Sequence, residues 1–270
     1  MLNATLGVIG GGVMGEALIS RLLTEQKFTP DTIWVSDPQA SRRHYLQQTY
    51  GLQTTEDNRA VAAEANILLL AVKPQVLNTV AHSLPQDSAK GTPLLLSILA
   101  GVPLARLIEL FPHWSVIRAM PNTPATVGAG MTALALGRDI SPEHQQQARL
   151  VFESVGEVIE VPESLMDAVT ALSGSGPGYI ALVIEALADG GVAAGLPRAT
   201  ALQLAIQTVK GTAELLQQTN WHPGVLKDRV TSPGGTTIAG VAQLEASGLR
   251  SALIEAVGAA YRRSRELGQS

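Results

Sequence analysis

Short apolar runs alternate with longer amphipathic or polar stretches along the first half of the chain. Leu6–Ile9 predicts a strand and Val13–Thr24 a helix; Ile33–Val35 predicts a second strand and Ser41–Tyr50 a polar helix. Ile67–Val72 is apolar without interruption, the pattern of a strand buried on both faces. Leu94–Ile98 and Val116–Ala119 follow at similar spacing. Such alternation predicts a parallel sheet with helices on both sides. Met131–Leu136 and Glu157–Val161 extend the sheet, and between them Ser141–Phe152 opens as a helix, with Ser141 as N-cap and Pro142 at its first position.

After Glu163 the rhythm changes and no strand-like run follows. Four helical stretches are predicted: Leu165–Leu172, Pro177–Ala194, Pro197–Gln217 and Thr237–Arg265, the last broken near Gly248. The two helices opened by proline are apolar around much of their circumference, which predicts burial in a subunit interface. The domain division that follows is 1–162, binding a dinucleotide, and 163–270, all helical.

Between the first strand and the first helix lies Gly10-Gly11-Gly12-Val13-Met14-Gly15, which fits G-x-G-x-x-G. Gly10 permits the tight turn, Gly12 lets a pyrophosphate approach the backbone, and Gly15 lets helix and strand pack closely. The helix N-terminus then offers free N–H groups and a partial positive charge. The second strand runs into Ser36 and Asp37, where ribose recognition belongs. Asp37 as an acceptor for both ribose hydroxyls favours NAD; Ser36, Arg42 and Arg43 around a 2′-phosphate favour NADP. Both readings stand, beside a third in which Asp37 followed by Pro38 only makes a turn. Further strand ends supply Ala71-Val72-Lys73-Pro74, with Lys73 either placed for a phosphate or ribose or simply solvated before a proline-forced bend, and Leu99-Ala100-Gly101, with room for a nicotinamide. Asn122 and Thr123, in a loop bounded by Pro121 and Pro124, either meet a ring carboxamide or only carry the chain onward.

Two more glycine-rich segments precede predicted helices, Ser173–Pro177 and Thr231–Thr237. Read as loops, both aim backbone N–H groups at an anion, most simply a carboxylate, or else are ordinary caps. Acid–base machinery is sparse. The five histidines show no metal-ligand spacing, His222 before Pro223-Gly224 reads as a turn residue, and no cysteine is present. Hydride transfer to an already polarised C=N bond suits such an inventory, because the coenzyme carries the chemistry.

Composition narrows the classes further. Hydrophobic residues make up 46% of the 270, enough for a sizeable core, and the net charge of −4 argues against nucleic acid or an anionic membrane surface as partner. The longest apolar stretch, Tyr179–Leu196, is interrupted by Glu185 and Asp189, so no membrane span is expected. MLNATLGVIG lacks the features of a signal peptide, so a cytoplasmic location is expected.

The segment Leu226–Glu245, LKDRVTSPGGTTIAGVAQLE, resembles the signature of the pyrroline-5-carboxylate reductases. His222–Gly224, Ala71–Pro74, Arg118–Pro124 and Ser173–Pro177 stand where that family has them, so the resemblance runs almost end to end. It implies an α/β Rossmann-type N-terminal domain followed by an all-α C-terminal dimerisation domain. It also implies reduction of 1-pyrroline-5-carboxylate to L-proline with NADPH, or NADH, and homodimers that in some members stack into decamers. By position it implies that Gly10, Gly11, Gly12, Val13, Met14 and Gly15 hold pyrophosphate, with Ser36 at the adenosine ribose and Asn58 on the adenine side. Ala71, Val72, Lys73, Pro74 and Ala100 would line the coenzyme, and Glu163 the site. Ser232, Gly235, Thr236 and Thr237 would hold the substrate carboxylate, with Ser175 nearby in role, and Thr237 would orient or donate the proton at the ring nitrogen. Where some relatives carry a glutamate near that nitrogen, this chain has Asn220, followed by Trp221.

Overall fold

The apolar runs pair into a sheet of eight strands in the computed structural model, which describes residues 2, 4–85 and 93–268. The strands are β1 (Leu6–Ile9), β2 (Ile33–Ser36), β3 (Gln53–Thr55), β4 (Ile67–Leu70), β5 (Leu94–Ser97), β6 (Ser115–Met120), β7 (Gly130–Leu136) and β8 (Gly156–Glu160). Their order is β3-β2-β1-β4-β5-β6-β7-β8, with only the β6–β7 pair antiparallel. Leu6 faces Ile33 on one side and Ile67 on the other, so the chain leaves β1 in one direction and later returns to its opposite edge. The crevice at the carboxyl end of β1 is thus a topological switch point, where sheets of this kind bind ligands.

The helices are α1 (Val13–Thr24), α2 (Ala40–Tyr50), α3 (Asn58–Glu64), α4 (Leu77–Ser83), α5 (Leu104–Leu110), α6 (Pro142–Glu153), α7 (Met166–Val169), α8 (Gly176–Ala193), α9 (Arg198–Thr219), α10 (Pro223–Arg229), α11 (Thr236–Ala246) and α12 (Leu249–Gly268). The predicted strands and long helices all form, and Ser141 caps α6 by accepting the His144 N–H at 3.1 Å. The elements the pattern does not reveal are short ones. β3 has three residues and no apolar run, while α3, α4, α5 and α10 have seven each, too few to establish a helical period. Gly248, at φ +73°, separates α11 from α12 near the predicted break.

Two compact units emerge, one comprising Met1–Gly174 with Ala260–Ser270 and the other Ser175–Ala259. In the first, strand alternation divides the core between the two faces of the sheet. Val8, Val35 and Leu69 join Leu18, Leu22, Leu46 and Phe152 on one face. Ile9, Leu68 and Leu70 join Val61, Leu77, Leu107 and Phe111 on the other. In the second unit α8 and α9 pack together, and the buried residues there are alanines, Ala188, Ala201 and Ala205.

Two expectations are corrected. Ser173–Pro177 is not a loop before a helix: a π-helical turn over Thr170–Gly174 leads through Ser175, itself in the right-handed helical region, into α8. Small residues give no steric reason to stop a helix, and Pro177 is tolerated in its first turn. The helical stretch Glu163–Ala193 also contains an 18-residue segment with a mean hydropathy of 1.3, enough to cross a membrane by length and composition alone. Glu185 and Asp189 do not offset the apolar residues around them. The same surface equally suits a helix covered by another chain.

Candidate active site

The glycine turn sits at the end of β1 with each glycine differently constrained. Gly10 has φ +100°, and a Cβ there would meet the Ala71 carbonyl oxygen at 2.7 Å. A Cβ on Gly15 would meet the Gly10 carbonyl oxygen at 2.5 Å. A Cβ on Gly12 would meet nothing within 4 Å, so that glycine leaves open space in front of the helix. Gly12 is also the N-cap of α1 and no side chain caps it; the first intrahelical bond runs from Glu16 N–H to Gly12 O at 2.9 Å. The amides of the first turn are thus left for an anion. Val13, 76% exposed, stands at the mouth of this space. Open space and uncapped amides together fit a dinucleotide's pyrophosphate.

Residues expected at the adenosine end are already engaged. Ser36 is buried, and its hydroxyl donates to Asn58 Oδ1 at 2.5 Å; Asn58 Nδ2 donates onward to Ser83 Oγ at 2.8 Å. Asp37 accepts the Gly11 N–H on Oδ2 at 3.0 Å and the Gln39 N–H on Oδ1 at 2.9 Å. Arg42 donates to Gly11 O and to Glu16. Arg43 donates to the carbonyls of Asp37 (2.8 Å) and Pro38 (3.1 Å) and pairs with Glu56 at 3.3 Å. Burial pushes the Glu16 carboxyl up, but hydrogen bonds from Arg42, Tyr50 and Tyr45 outweigh it and hold the group below its ordinary value.

Beyond β4, Ala71 and Val72 are half-buried and Lys73 is exposed, ahead of the bend that Pro74 imposes. Ala100 lines a cavity of about 370 Å³ with Pro74, Asn78, Gly101, Arg106 and Leu267. Asn122 is committed to the backbone: its Oδ1 accepts the Met131 N–H at 2.9 Å and its Nδ2 donates to Ser173 O at 3.0 Å. Glu163 is similarly engaged, accepting the Leu104 N–H at the start of α5 at 2.5 Å and pairing with the buried Arg118 at 3.2 Å. Sequence spacing gives no hint of these two ties, which span 51 and 59 residues.

In the second unit, His222 caps α10 by accepting the Gly224 N–H at 3.1 Å, which agrees with a turn residue. Asn220 ends α9 in the left-handed region at φ +53°, and the Arg229 guanidinium lies 3.9 Å from the Trp221 ring centroid. The segment Thr231–Gly235 then folds back on itself. Gly234 is at φ +66°, and the Gly235 N–H donates to Ser232 O at 3.1 Å. A Cβ on Gly235 would collide with the Ser232 hydroxyl. Gly235 is the N-cap of α11, again with no side-chain cap, while Thr236 is exposed and Thr237 half-buried in the first turn. Ser175 lies in helical backbone at the start of α8. Among the described residues no cluster of metal-ligating side chains forms.

Comparison with known proteins follows the same division. A family model described as pyrroline-5-carboxylate reductase dimerisation matches residues 163–267, and one described as NADP oxidoreductase, coenzyme F420-dependent, matches residues 5–101. The chain is 59% identical over 268 residues to a pyrroline-5-carboxylate reductase of Synechocystis sp., covering 99% of this chain and all of the relative. A pyrroline-5-carboxylate reductase structure from Coxiella burnetii superposes with a TM-score of 0.93 at 33% identity over the full length of both chains. A Plasmodium falciparum pyrroline carboxylate reductase structure with NADP bound gives a TM-score of 0.88 at 30% identity, covering 99% of each chain.

Proposed function

The chain belongs to the pyrroline-5-carboxylate reductase family, and we propose that its two uncapped, glycine-rich helix N-termini divide the work of the reaction. The enzyme reduces 1-pyrroline-5-carboxylate to L-proline with NAD(P)H, the last step of proline synthesis. The observation that carries the division is that α1 and α11 each begin at an extended glycine N-cap with no side-chain cap. Backbone amides in that state are ready for a phosphate in one case and a carboxylate in the other.

The coenzyme, when bound, supplies a hydride to the imine carbon. The amides of Val13, Met14 and Gly15 hold its pyrophosphate, Gly10, Gly11 and Gly12 shape the approach, and Ala71–Pro74 with Ala100 line its path. Ser36 and Asn58 support the adenosine end, and Glu163 acts through Arg118 and Leu104. On the substrate side, Ser232, Gly235, Thr236 and Thr237 hold the carboxylate, with Ser175 near the ring. The Thr237 hydroxyl, alone or with a water, orients the proton at the ring nitrogen; a protonated imine is the better hydride acceptor. Holding donor and acceptor in contact supplies most of the remaining rate.

Functionally, residues 1–162 serve the coenzyme and 163–270 serve substrate and subunit contact, a division supported by the dimerisation model's match from residue 163. The apolar residues of α8 and α9, Leu182 at 66% and Leu204 at 53% exposure, are then covered by a second copy rather than by lipid. Dimers stacked into a decamer and a cytoplasmic location complete the reading. The test is coenzyme oxidation on addition of 1-pyrroline-5-carboxylate, with NADPH and then NADH. Turnover with NADPH is expected, and no turnover with either coenzyme sinks the assignment.

A further inference from the structure

Gly11 occupies the position that G-x-G-x-x-G leaves open to any residue, yet side chains from outside the turn hold both its N–H and its carbonyl. It is buried, and a Cβ there would meet Leu46 Cδ1 at 2.6 Å. Its N–H is held by Asp37 Oδ2 at 3.0 Å and its carbonyl by Arg42 Nε. The carbonyl of Gly11 shares a planar trans peptide with the N–H of Gly12, so fixing one points the other the opposite way. Gly12 is the exposed glycine with open space before it.

Arg42 is itself fixed. It pairs with Glu16, whose other oxygen accepts the hydroxyls of Tyr45 at 3.0 Å and Tyr50 at 2.8 Å, and its guanidinium lies 4.9 Å from the Tyr45 ring centroid. Glu16 would otherwise place an uncompensated negative charge in an anion-binding turn; Arg42 and the two tyrosines offset it. Asp37 bonds to backbone N–H groups through both of its carboxylate oxygens.

We infer that Asp37 and Arg42 are positioning residues that clamp Gly11 and aim the Gly12 amide, and that they do not discriminate at the adenosine 2′ position. The inference deepens the dinucleotide reading and rests on it. The usual roles would make Asp37 the ribose acceptor that selects NADH and Arg42 the phosphate ligand that selects NADPH. A clamp predicts equal losses for both coenzymes.

The experiment measures the affinity of the full-length protein for NADPH and NADH by quenching of intrinsic fluorescence, alongside amide hydrogen exchange without coenzyme. Asp37→Ala and Arg42→Ala are each expected to weaken both coenzymes by about tenfold, with their affinity ratio unchanged. Exchange at the Gly11 amide should rise in Asp37→Ala. Asp37→Asn keeps one acceptor oxygen for the Gly11 N–H but loses the one that takes the Gln39 N–H, so it should recover both affinities in part and in the same proportion, which loss of fold could not mimic. The inference is overturned if Asp37→Ala or Asp37→Asn shifts the ratio toward NADPH, if Arg42→Ala weakens NADPH alone, or if exchange at Gly11 is unmoved. A wild-type protein that binds neither coenzyme would instead remove the dinucleotide reading itself.

Discussion

Gly11 in the first glycine-rich segment is buried and gripped by Asp37 and Arg42 from outside the turn, whereas Ser232, Pro233 and Gly234 in the second are exposed and bond mainly within their own segment. The same contrast runs through the units that carry them. One has two large apolar clusters on opposite faces of a sheet. The other buries three alanines and leaves Leu182, Leu204, Ile206 and Ile254 at 47–72% exposure. A turn held by side chains of its own unit is preformed there. A surface that buries so little of its apolar area asks for a partner to cover it.

The largest effect expected of any single change falls on that partner. Leu204→Glu should weaken self-association by more than about a hundredfold, because an apolar contact is replaced by a buried charge. Sedimentation velocity reads the outcome, and an unchanged assembly would place the exposed face outside the subunit contact. Next comes the chemistry. Thr237→Ala should lower kcat/KM by about a hundredfold while coenzyme affinity, measured by fluorescence, stays as in the wild type. Loss of coenzyme binding instead would show that the two segments do not divide the work.

A pair of substitutions sharpens the contrast within the first turn. Gly15→Ala places a methyl group 2.5 Å from the Gly10 carbonyl oxygen and should cost about 1–3 kcal/mol in thermal or urea unfolding. Gly12→Ala meets no protein atom within 4 Å, so stability should hold while coenzyme affinity falls by about tenfold. The smallest effect is a pH dependence. The Glu16 carboxyl is held below its ordinary 4.5, so its contribution is present above that pH and is lost as the pH falls through the folded value. Glu16→Gln should therefore flatten the loss of stability on acidification, read by urea unfolding at a series of pH values.

Much of this was legible in the pattern of residues. Leu6–Ile9 and Val13–Thr24 form as the predicted strand and helix with the same bounds, because a strand buried on both faces reads as a short unbroken apolar run and the helix follows directly behind the glycine turn. The glycine turn was legible because only glycine tolerates the φ of Gly10 and the closeness at Gly15. The three-residue β3 and the seven-residue helices were not, since they are too short to show a period. Ser173–Pro177 misled because small residues and proline mark loops by composition but do not forbid a helical turn. Asn122, Glu163, Asp37 and Arg42 have side chains that suit a ligand, yet in the structure they bond to backbone far away in sequence.

By itself the sequence determined the elements with strong local patterns, the glycine-rich turn and the family, because each rests on local spacing or on a run of neighbouring residues. Only the tertiary structure decided which polar side chains remain open to a ligand. Asp37 meets Gly11 and Glu163 meets Leu104 across 26 and 59 residues, and a hydrogen bond formed at such separation leaves no trace in the local pattern.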